Sequence, residues 1–385
     1  MTEKLNILMI SDSFFPINGG REQVINNLME NLKTVANPVL LTTNIGGKKA
    51  RSIDNNLSYK VIRCKSIRLT KNEYLSFVDR KTKQIIEELC NNGIDIIHTQ
   101  TKYALTSYAL KLGNKYNIPV VTTAHTNYLT QYKSQLKFPY IYNPFLNHVI
   151  KTINKHNYAT TPSHYMKNIL NNMAVKTPIK VIPNGDDLSK YKDQTFKKDY
   201  NTNNFIYVGR LTKEKNIGLL LQSLKIIKDN GIDYKMTIVG NGKVNYYKRI
   251  TKKLDIDDYC DFLGAISDRK KLAQLYQDSL INLIPSFGES FGLTLRESAS
   301  LETPSVVIEN SAPSEVIIDN YNGFVAQNNP NSFAKAIINA IQDKNKLKEI
   351  SKNCSQLTND WEDITDQYIN FYNEIINKKN TQSPV

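Results

Sequence analysis

Glu289 and Glu297 stand eight residues apart in the run Pro-Ser-Phe-Gly-Glu-Ser-Phe-Gly-Leu-Thr-Leu-Arg-Glu over residues 285–297. The run follows an apolar, strand-like segment from Leu280 to Ile284, and a helix is expected to open near Gly292. Two glycines in this loop and first turn let backbone approach a ligand closely. The orphan N–H groups of a helix start favour an anion, so the backbone of Ser290, Phe291, Gly292 and Leu293 is a candidate phosphate cradle. A carboxylate on either side of that start is unsuited to holding phosphate. It is suited to accepting hydrogen bonds from hydroxyls. Hydroxyls beside a phosphate describe a nucleotide sugar.

Arg210 and Lys215 extend that chemistry. They lie in Gly-Arg-Leu-Thr-Lys-Glu-Lys-Asn, just after the strand-like Phe205–Val208. A planar guanidinium fork and a compact ammonium together suit a diphosphate. Gly19 and Gly20, after Phe15-Pro16-Ile17-Asn18, make a tight turn that can aim N–H groups at an anion. His125 ends the strand-like Pro119–Thr123, and His98 ends the preceding strand in Ile-Ile-His-Thr-Gln-Thr. Both are expected to face one cleft. Gly240, in Val-Gly-Asn-Gly, ends another strand. No constellation of His and Asp is read as a divalent-cation site, so no metal and no other cofactor is expected.

These residues need scaffolds to carry them. A chain of 385 residues exceeds the usual size of one core, so two domains are expected. Apolar strands alternate with helical segments: Leu5–Ser11, helix Arg21–Leu32, Val39–Thr43, helix Lys81–Cys90, Ile94–Thr99, helix Lys102–Tyr116 and Pro119–Thr123. A polar, linker-like stretch from Ser189 to Asn204 follows, and then the alternation restarts. Such order implies an α/β fold, with parallel sheets covered by helices on both faces. Ligands of such sheets sit outside the carboxyl ends of the strands, where the residues above fall.

Composition sets further bounds. No apolar run reaches the eighteen or so residues of a membrane span. The N-terminus reads as a first strand rather than a signal peptide, so a cytoplasmic location is expected. Four scattered cysteines, Cys64, Cys90, Cys260 and Cys354, suit a reduced core rather than a metal or redox site. Residues 1–190 carry 25 Lys+Arg against 12 Asp+Glu, whereas 191–385 carry 25 against 24. No acid occurs from Ile96 to Gly185, a stretch holding ten lysines and all five histidines. Such a field attracts anions. Within it, Tyr128, Tyr132, Phe138, Tyr140, Tyr142 and Phe145 mix with Lys133, Lys137, Lys151 and Lys155, a pattern suited to an anionic membrane interface.

The Glu-x7-Glu run, set after Pro-Ser and around Phe-Gly-Leu, resembles the retaining GT-B glycosyltransferases of family 4. The resemblance implies two doubly wound, Rossmann-like domains facing a central cleft. Residues 1–190 would form the acceptor-side domain and 191–358 the nucleotide-sugar domain, while 359–385 would supply a helix crossing back to the first domain and a tail. It further implies that Glu289 holds donor-sugar hydroxyls, Glu297 the ribose, and Arg210 and Lys215 the diphosphate. Gly19 and Gly20 would complete the phosphate cradle, with Gly20 the closer. His125 would lie near the hexose 6-hydroxyl and Gly240 near the base. The implied reaction moves a hexose, as from UDP-glucose, with retention and without metal. The His98-Thr-Gln-Thr and His125-Thr runs look like those of the branch that glucosylates diacylglycerol, so a membrane lipid or envelope acceptor is expected, on the inner face of the membrane. A soluble polysaccharide, teichoic acid or protein acceptor is the alternative, and an inactive partner subunit the second. Nucleic acid is not expected as a partner, and oligomeric state is not legible. One position departs from the family pattern, which has Gly where this chain has Glu302.

Overall fold

The computed structural model describes residues 4–17, 19–68, 74–100, 104–136 and 138–382. Asn18, Lys102 and Lys137, named above, lie outside the described residues. The chain divides into two compact units. The first comprises residues up to His125, Tyr140–Gly185 and the segment from Asp360 onward; the second comprises Thr126–Pro139 and Asp186–Asn359.

Among the described residues the first unit holds eight strands: β1 (Asn6–Ser11), β2 (Asn37–Thr43), β3 (Lys60–Arg68), β4 (Tyr74–Phe77), β5 (Ile96–Thr99), β6 (Val120–Thr123), β7 (Tyr158–Thr161) and β8 (Ile179–Val181). Their spatial order is β4-β3-β2-β1-β5-β6-β7-β8. All neighbours pair in parallel except β3 with β4. The central strand β1 reads as an almost continuous apolar run and is buried on both faces, as a helix-covered parallel sheet requires. Leu8 and Ile10 join Leu41, Ile97 and Leu105 in one core layer. The helix Trp361–Gln382 belongs to this unit and packs on the helix Gly20–Val35.

Among the described residues the second unit holds six parallel strands, β9 (Asn204–Val208), β10 (Lys235–Val239), β11 (Cys260–Gly264), β12 (Ile281–Ile284), β13 (Ser305–Ile308) and β14 (Phe324–Ala326), in the order β11-β10-β9-β12-β13-β14. Phe205 and Tyr207 fill one core layer, while Ile206 and Val208 face the other, the two-residue alternation of a strand between helices.

Several elements escaped the sequence reading. β3 alternates charged with apolar residues (Lys-Val-Ile-Arg-Cys-Lys), and β7 is only Tyr-Ala-Thr-Thr. The helix Pro139–Ile153 carries Pro144 inside it, a helix-breaking residue by local rules. The helix Tyr128–Gln135 groups with the second unit, packing on the turn at Lys213–Lys215. The stretch expected to be a linker is instead fastened to that unit. Leu188 is fully buried, and Lys198 Nζ donates to Ser279 O and Thr303 Oγ1, both at 2.6 Å. A polar sequence that reads as solvated chain thus uses a lysine to satisfy one buried carbonyl and one buried hydroxyl.

Candidate active site

In the second unit, β12 ends at Ile284 and the helix Leu293–Ser300 begins nine residues later. Buried Asn282 on β12 ties this helix down: its Nδ2 donates to Thr294 O and Ser298 Oγ, both at 3.1 Å. Gly292 caps the helix start with φ +86°, and a Cβ there would lie 2.9 Å from Pro313 Cγ. Only glycine meets both demands, so the helix N-terminus is fixed by that residue. Phe291 is buried beneath the Arg296 guanidinium, 5.0 Å from the ring centroid. The Phe291 side chain is core, leaving only its backbone to line a ligand.

Two expected site residues meet directly. Lys215 Nζ lies 2.5 Å from Glu289 Oε1, with side chains 14% and 18% exposed. Lys215 sits on a short 3₁₀ turn, Lys213–Lys215, that follows β9. Gly288 lets the Glu289 loop approach that turn, because a Cβ there would stand 3.0 Å from Glu214 Cβ. Ser286 Oγ donates to Glu214 O at 3.1 Å and locks the approach. Arg210 is largely exposed and reaches Glu214 at 3.7 Å. A cation and a carboxylate therefore share one spot beside a helix start, while a second cation remains extended into solvent.

Gly240 is dictated by packing: a Cβ would fall 1.8 Å from Gly209 O. Leu211 N donates to Asn241 O at 2.7 Å, so the two strand-end loops are laced together. Glu297 is held in a network the sequence did not announce. Arg269 Nη2 donates to Glu297 Oε1 at 2.9 Å and also bonds Asp187; Tyr276 OH donates to Glu297 Oε2 at 3.3 Å. Burial pushes the Glu297 carboxyl up, and Arg269 opposes that shift. The Asp186-Asp187 pair directly after Pro-Asn-Gly was the available signal. Glu302 keeps the left-handed backbone expected of a glycine, at φ +55°, and pairs with Lys192 at 2.8 Å. The departure from the family pattern thus changes the side chain and not the turn.

In the first unit, the helix Gly20–Val35 starts at Gly19, which gives it no side-chain cap. Glu22, buried in the first turn, accepts from Ser13 Oγ at 2.7 Å and pairs with Arg21 at 3.0 Å. A Cβ on Gly19 would fall 2.6 Å from Glu22 Oε2. Any anion at this start therefore shares it with Glu22 and relies on Arg21 and the backbone. Arg63 on β3 holds the preceding loop, donating to Phe15 O at 2.8 Å while clamping Asp54 at 2.7 and 2.8 Å. None of Glu22, Arg63 or Arg21 was singled out in the sequence.

His125 is half-buried after β6, and its Nε2 bonds Gln100 Oε1. Burial, reinforced by Arg21, pushes it down to about 3. The expectation that His98 touches ligand needs correction. It is fully buried, with Nδ1 2.6 Å from Tyr372 OH and Nε2 2.7 Å from Thr123 Oγ1. β5 is covered on both faces, and the C-terminal helix closes over its end, so His98 is an internal brace.

Among the described residues, no group of three or more His, Cys, Asp or Glu could hold a metal ion. Asp255 and Asp257 have Asp-x-Asp spacing, but Asp255 pairs with Lys228 at 2.9 Å. All four cysteines are buried thiols. No helix among the described residues is long and apolar enough to cross a membrane.

Two parallel-sheet Rossmann-like units, one with paired Lys and Glu at the start of a helix, define a GT-B glycosyltransferase. Residues 18–190 match the model described as Glycosyltransferase Family 4, and residues 190–356 match Glycosyl transferases group 1. The chain belongs to the family 4 glycosyltransferases. It is 25% identical over 359 residues to an uncharacterized glycosyltransferase of Methanocaldococcus jannaschii, covering 91% of this chain and 92% of that one. It is 25% identical over 336 residues to the alpha-monoglucosyldiacylglycerol synthase of Streptococcus pneumoniae, covering 82% and 74%. In fold it is similar to Anabaena HepE, solved in complex with UDP-glucose, with a TM-score of 0.76, 17% identity, and coverage of 96% and 100%.

Proposed function

We propose that this glycosyltransferase moves a hexose from UDP-glucose or a similar nucleotide sugar, with retention and without metal, onto a membrane lipid or cell-envelope acceptor. The observation that carries the donor reading is the meeting of Lys215 with Glu289 beside the start of helix Leu293–Ser300. Glu289 pairs with Lys215 at 2.5 Å. When a donor binds, a diphosphate takes Lys215 and Arg210, and the released carboxylate accepts hydroxyls of the hexose. The leaving nucleoside diphosphate gains negative charge as the glycosidic bond breaks. Lys215, Arg210 and the orphan N–H groups from Leu293 onward are positive poles for that charge, each strong donor contributing roughly 3–4 kcal/mol. Glu297 accepts from the ribose with the lone pairs that Arg269 and Tyr276 leave open. Attack comes from the same face as departure, and the leaving phosphate takes the acceptor's proton.

The lipid acceptor is supported by charge and surface. Tyr140, Ile141 and Phe145 are exposed on the helix Pro139–Ile153, which also carries exposed Lys151, within the acid-free stretch. The similarity to the alpha-monoglucosyldiacylglycerol synthase of Streptococcus pneumoniae points the same way. The deciding experiment offers radiolabelled UDP-glucose to the purified protein with envelope lipid extract, soluble envelope polysaccharide, or neither, each with and without EDTA. Label should enter a chloroform-soluble product and resist EDTA. Label found only in polysaccharide would overturn the acceptor; activity lost to EDTA and restored by Mn²⁺ would overturn the metal-free site.

A further inference from the structure

Gln100 directly follows β5 and is 3% exposed. Its backbone N–H donates to Ile10 O at 2.8 Å, seating it between the ends of β1 and β5. The two ends of its side-chain amide have different neighbours. Nε2 meets Met9 Sδ at 3.0 Å and His98 Nε2 at 3.3 Å, and Oε1 meets His125 Nε2. A thioether sulfur accepts and cannot donate, so the amide nitrogen belongs on the Met9 side. The carbonyl oxygen then faces His125, and His125 must carry its proton on Nε2.

The same logic fixes His98. Its Nε2 receives from the Gln100 amide and from Thr123 Oγ1, so its proton sits on Nδ1 and is donated to Tyr372 OH at 2.6 Å. Both rings are neutral. Burial pushes each down to about 3, with Arg21 acting further on His125, and with His125 and His156 acting further on His98. His156 is itself committed, its Nδ1 donating to Thr152 O at 2.9 Å.

We infer that Gln100 is a positioning residue: seated against Met9, it fixes His125 as a neutral ring with Nε2–H turned inward, and it turns the Nδ1–H of His98 toward Tyr372 on the C-terminal helix. A His125 so committed keeps its Nε2–H for Gln100 and does not donate it to a sugar hydroxyl. The consequence for transfer rests on the reading that His125 meets the donor hexose; the tautomer does not.

The test uses the full chain with ¹⁵N-labelled histidine. Long-range ¹H–¹⁵N spectra should show His125 as the Nε2–H tautomer and His98 as the Nδ1–H tautomer, neither protonating above about pH 5. Gln100→Leu should leave His125 a tautomer mixture and lower kcat for transfer by up to about a hundredfold, the loss a displaced reacting group brings. UDP, which lacks the hexose, should bind Gln100→Leu as it binds the parent. Gln100→Glu keeps the acceptor and adds a charge; His125 should then protonate at a higher pH than in the parent, moving the acid limb of the rate profile. Tyr372→Phe removes only the acceptor of His98 Nδ1–H and should leave the His125 tautomer as in the parent. A parent His125 that titrates near its ordinary value, or carries its proton on Nδ1, overturns the inference, as does a Gln100→Leu protein with parental spectra and kcat. Correct tautomers in a protein that turns over no nucleotide sugar would instead overturn the proposed function.

Discussion

Lys215 and Glu289 pair directly, and this makes their mutational behaviour distinctive. Lys215→Ala should lower turnover by about a hundredfold, the loss expected of one phosphate-stabilising group. Glu289→Ala should abolish transfer while UDP still binds. Because each releases the other, the double variant should lose less than the two single losses combined; strict additivity in steady-state rates would count against a shared role. Glu297 separates function from stability. Glu297→Ala strands Arg269 on Asp187 alone and should cost about 1.5–3 kcal/mol, the range for a hydrogen bond to a charged group, as well as weakening UDP. Glu297→Gln keeps an acceptor for Arg269 and should retain the parental melting temperature while still weakening UDP by calorimetry. Full UDP affinity in Glu297→Gln would remove the ribose role.

At the scale of elements, the helix starts are set by backbone geometry. Gly292→Ala combines a left-handed residue with a contact at 2.9 Å to Pro313. The left-handed penalty is about 1–2 kcal/mol, which for a unit of this size lowers the melting temperature by about 2–4 °C per kcal/mol. An unchanged melting curve would mean that the loop relocates the helix start. The C-terminal helix brings a pH dependence. His98 and His125 are held near 3 against an ordinary value of 6.5, so the unfolded chain binds protons that the folded chain refuses. Their contribution is complete above pH 6.5 and is lost as pH falls toward 3. Each costs about 1.4 kcal/mol per pH unit in that window. Thermal melts from pH 7.5 to 5 should therefore show falling stability, with a shallower slope in His98→Gln. Equal slopes would show that His98 is already protonated in the fold.

At the scale of the molecule, the uneven charge becomes a docking hypothesis. Tyr128 and Tyr142 are buried and leave the surface, whereas Phe138, Tyr140, Ile141 and Phe145 are exposed. Each lysine near an anionic leaflet contributes about 1 kcal/mol, within roughly a Debye length. Vesicles containing phosphatidylglycerol should bind the protein, steeply less as salt rises. Lys133, Lys137, Lys151 and Lys155 changed together to Glu should release it, and Tyr140→Ser with Phe145→Ser should weaken it at high salt. Indifference to anionic vesicles at about 0.1 M salt would leave the lysines a solvated face and favour a soluble acceptor.

Two parallel sheets, the strand ends that carry Arg210, Lys215, Glu289 and His125, and the helix start at Gly292 were legible in the sequence. Central buried strands such as β1 and β13 are largely apolar, and Gly240 and Gly292 sit where a Cβ has no room. The sequence also carried the polarity of the charge and the absence of a membrane-length apolar run. Contacts between distant segments were not legible, because local pattern carries no information about them. The Lys215–Glu289 pair spans 74 residues and the His98–Tyr372 bond 274. Arg269, Gln100 and Arg63 look like ordinary polar residues until folding sets each against a buried partner. His98 ends an apolar strand as a ligand-binding residue would, and only the packing of the last helix over it turned a candidate contact into a brace.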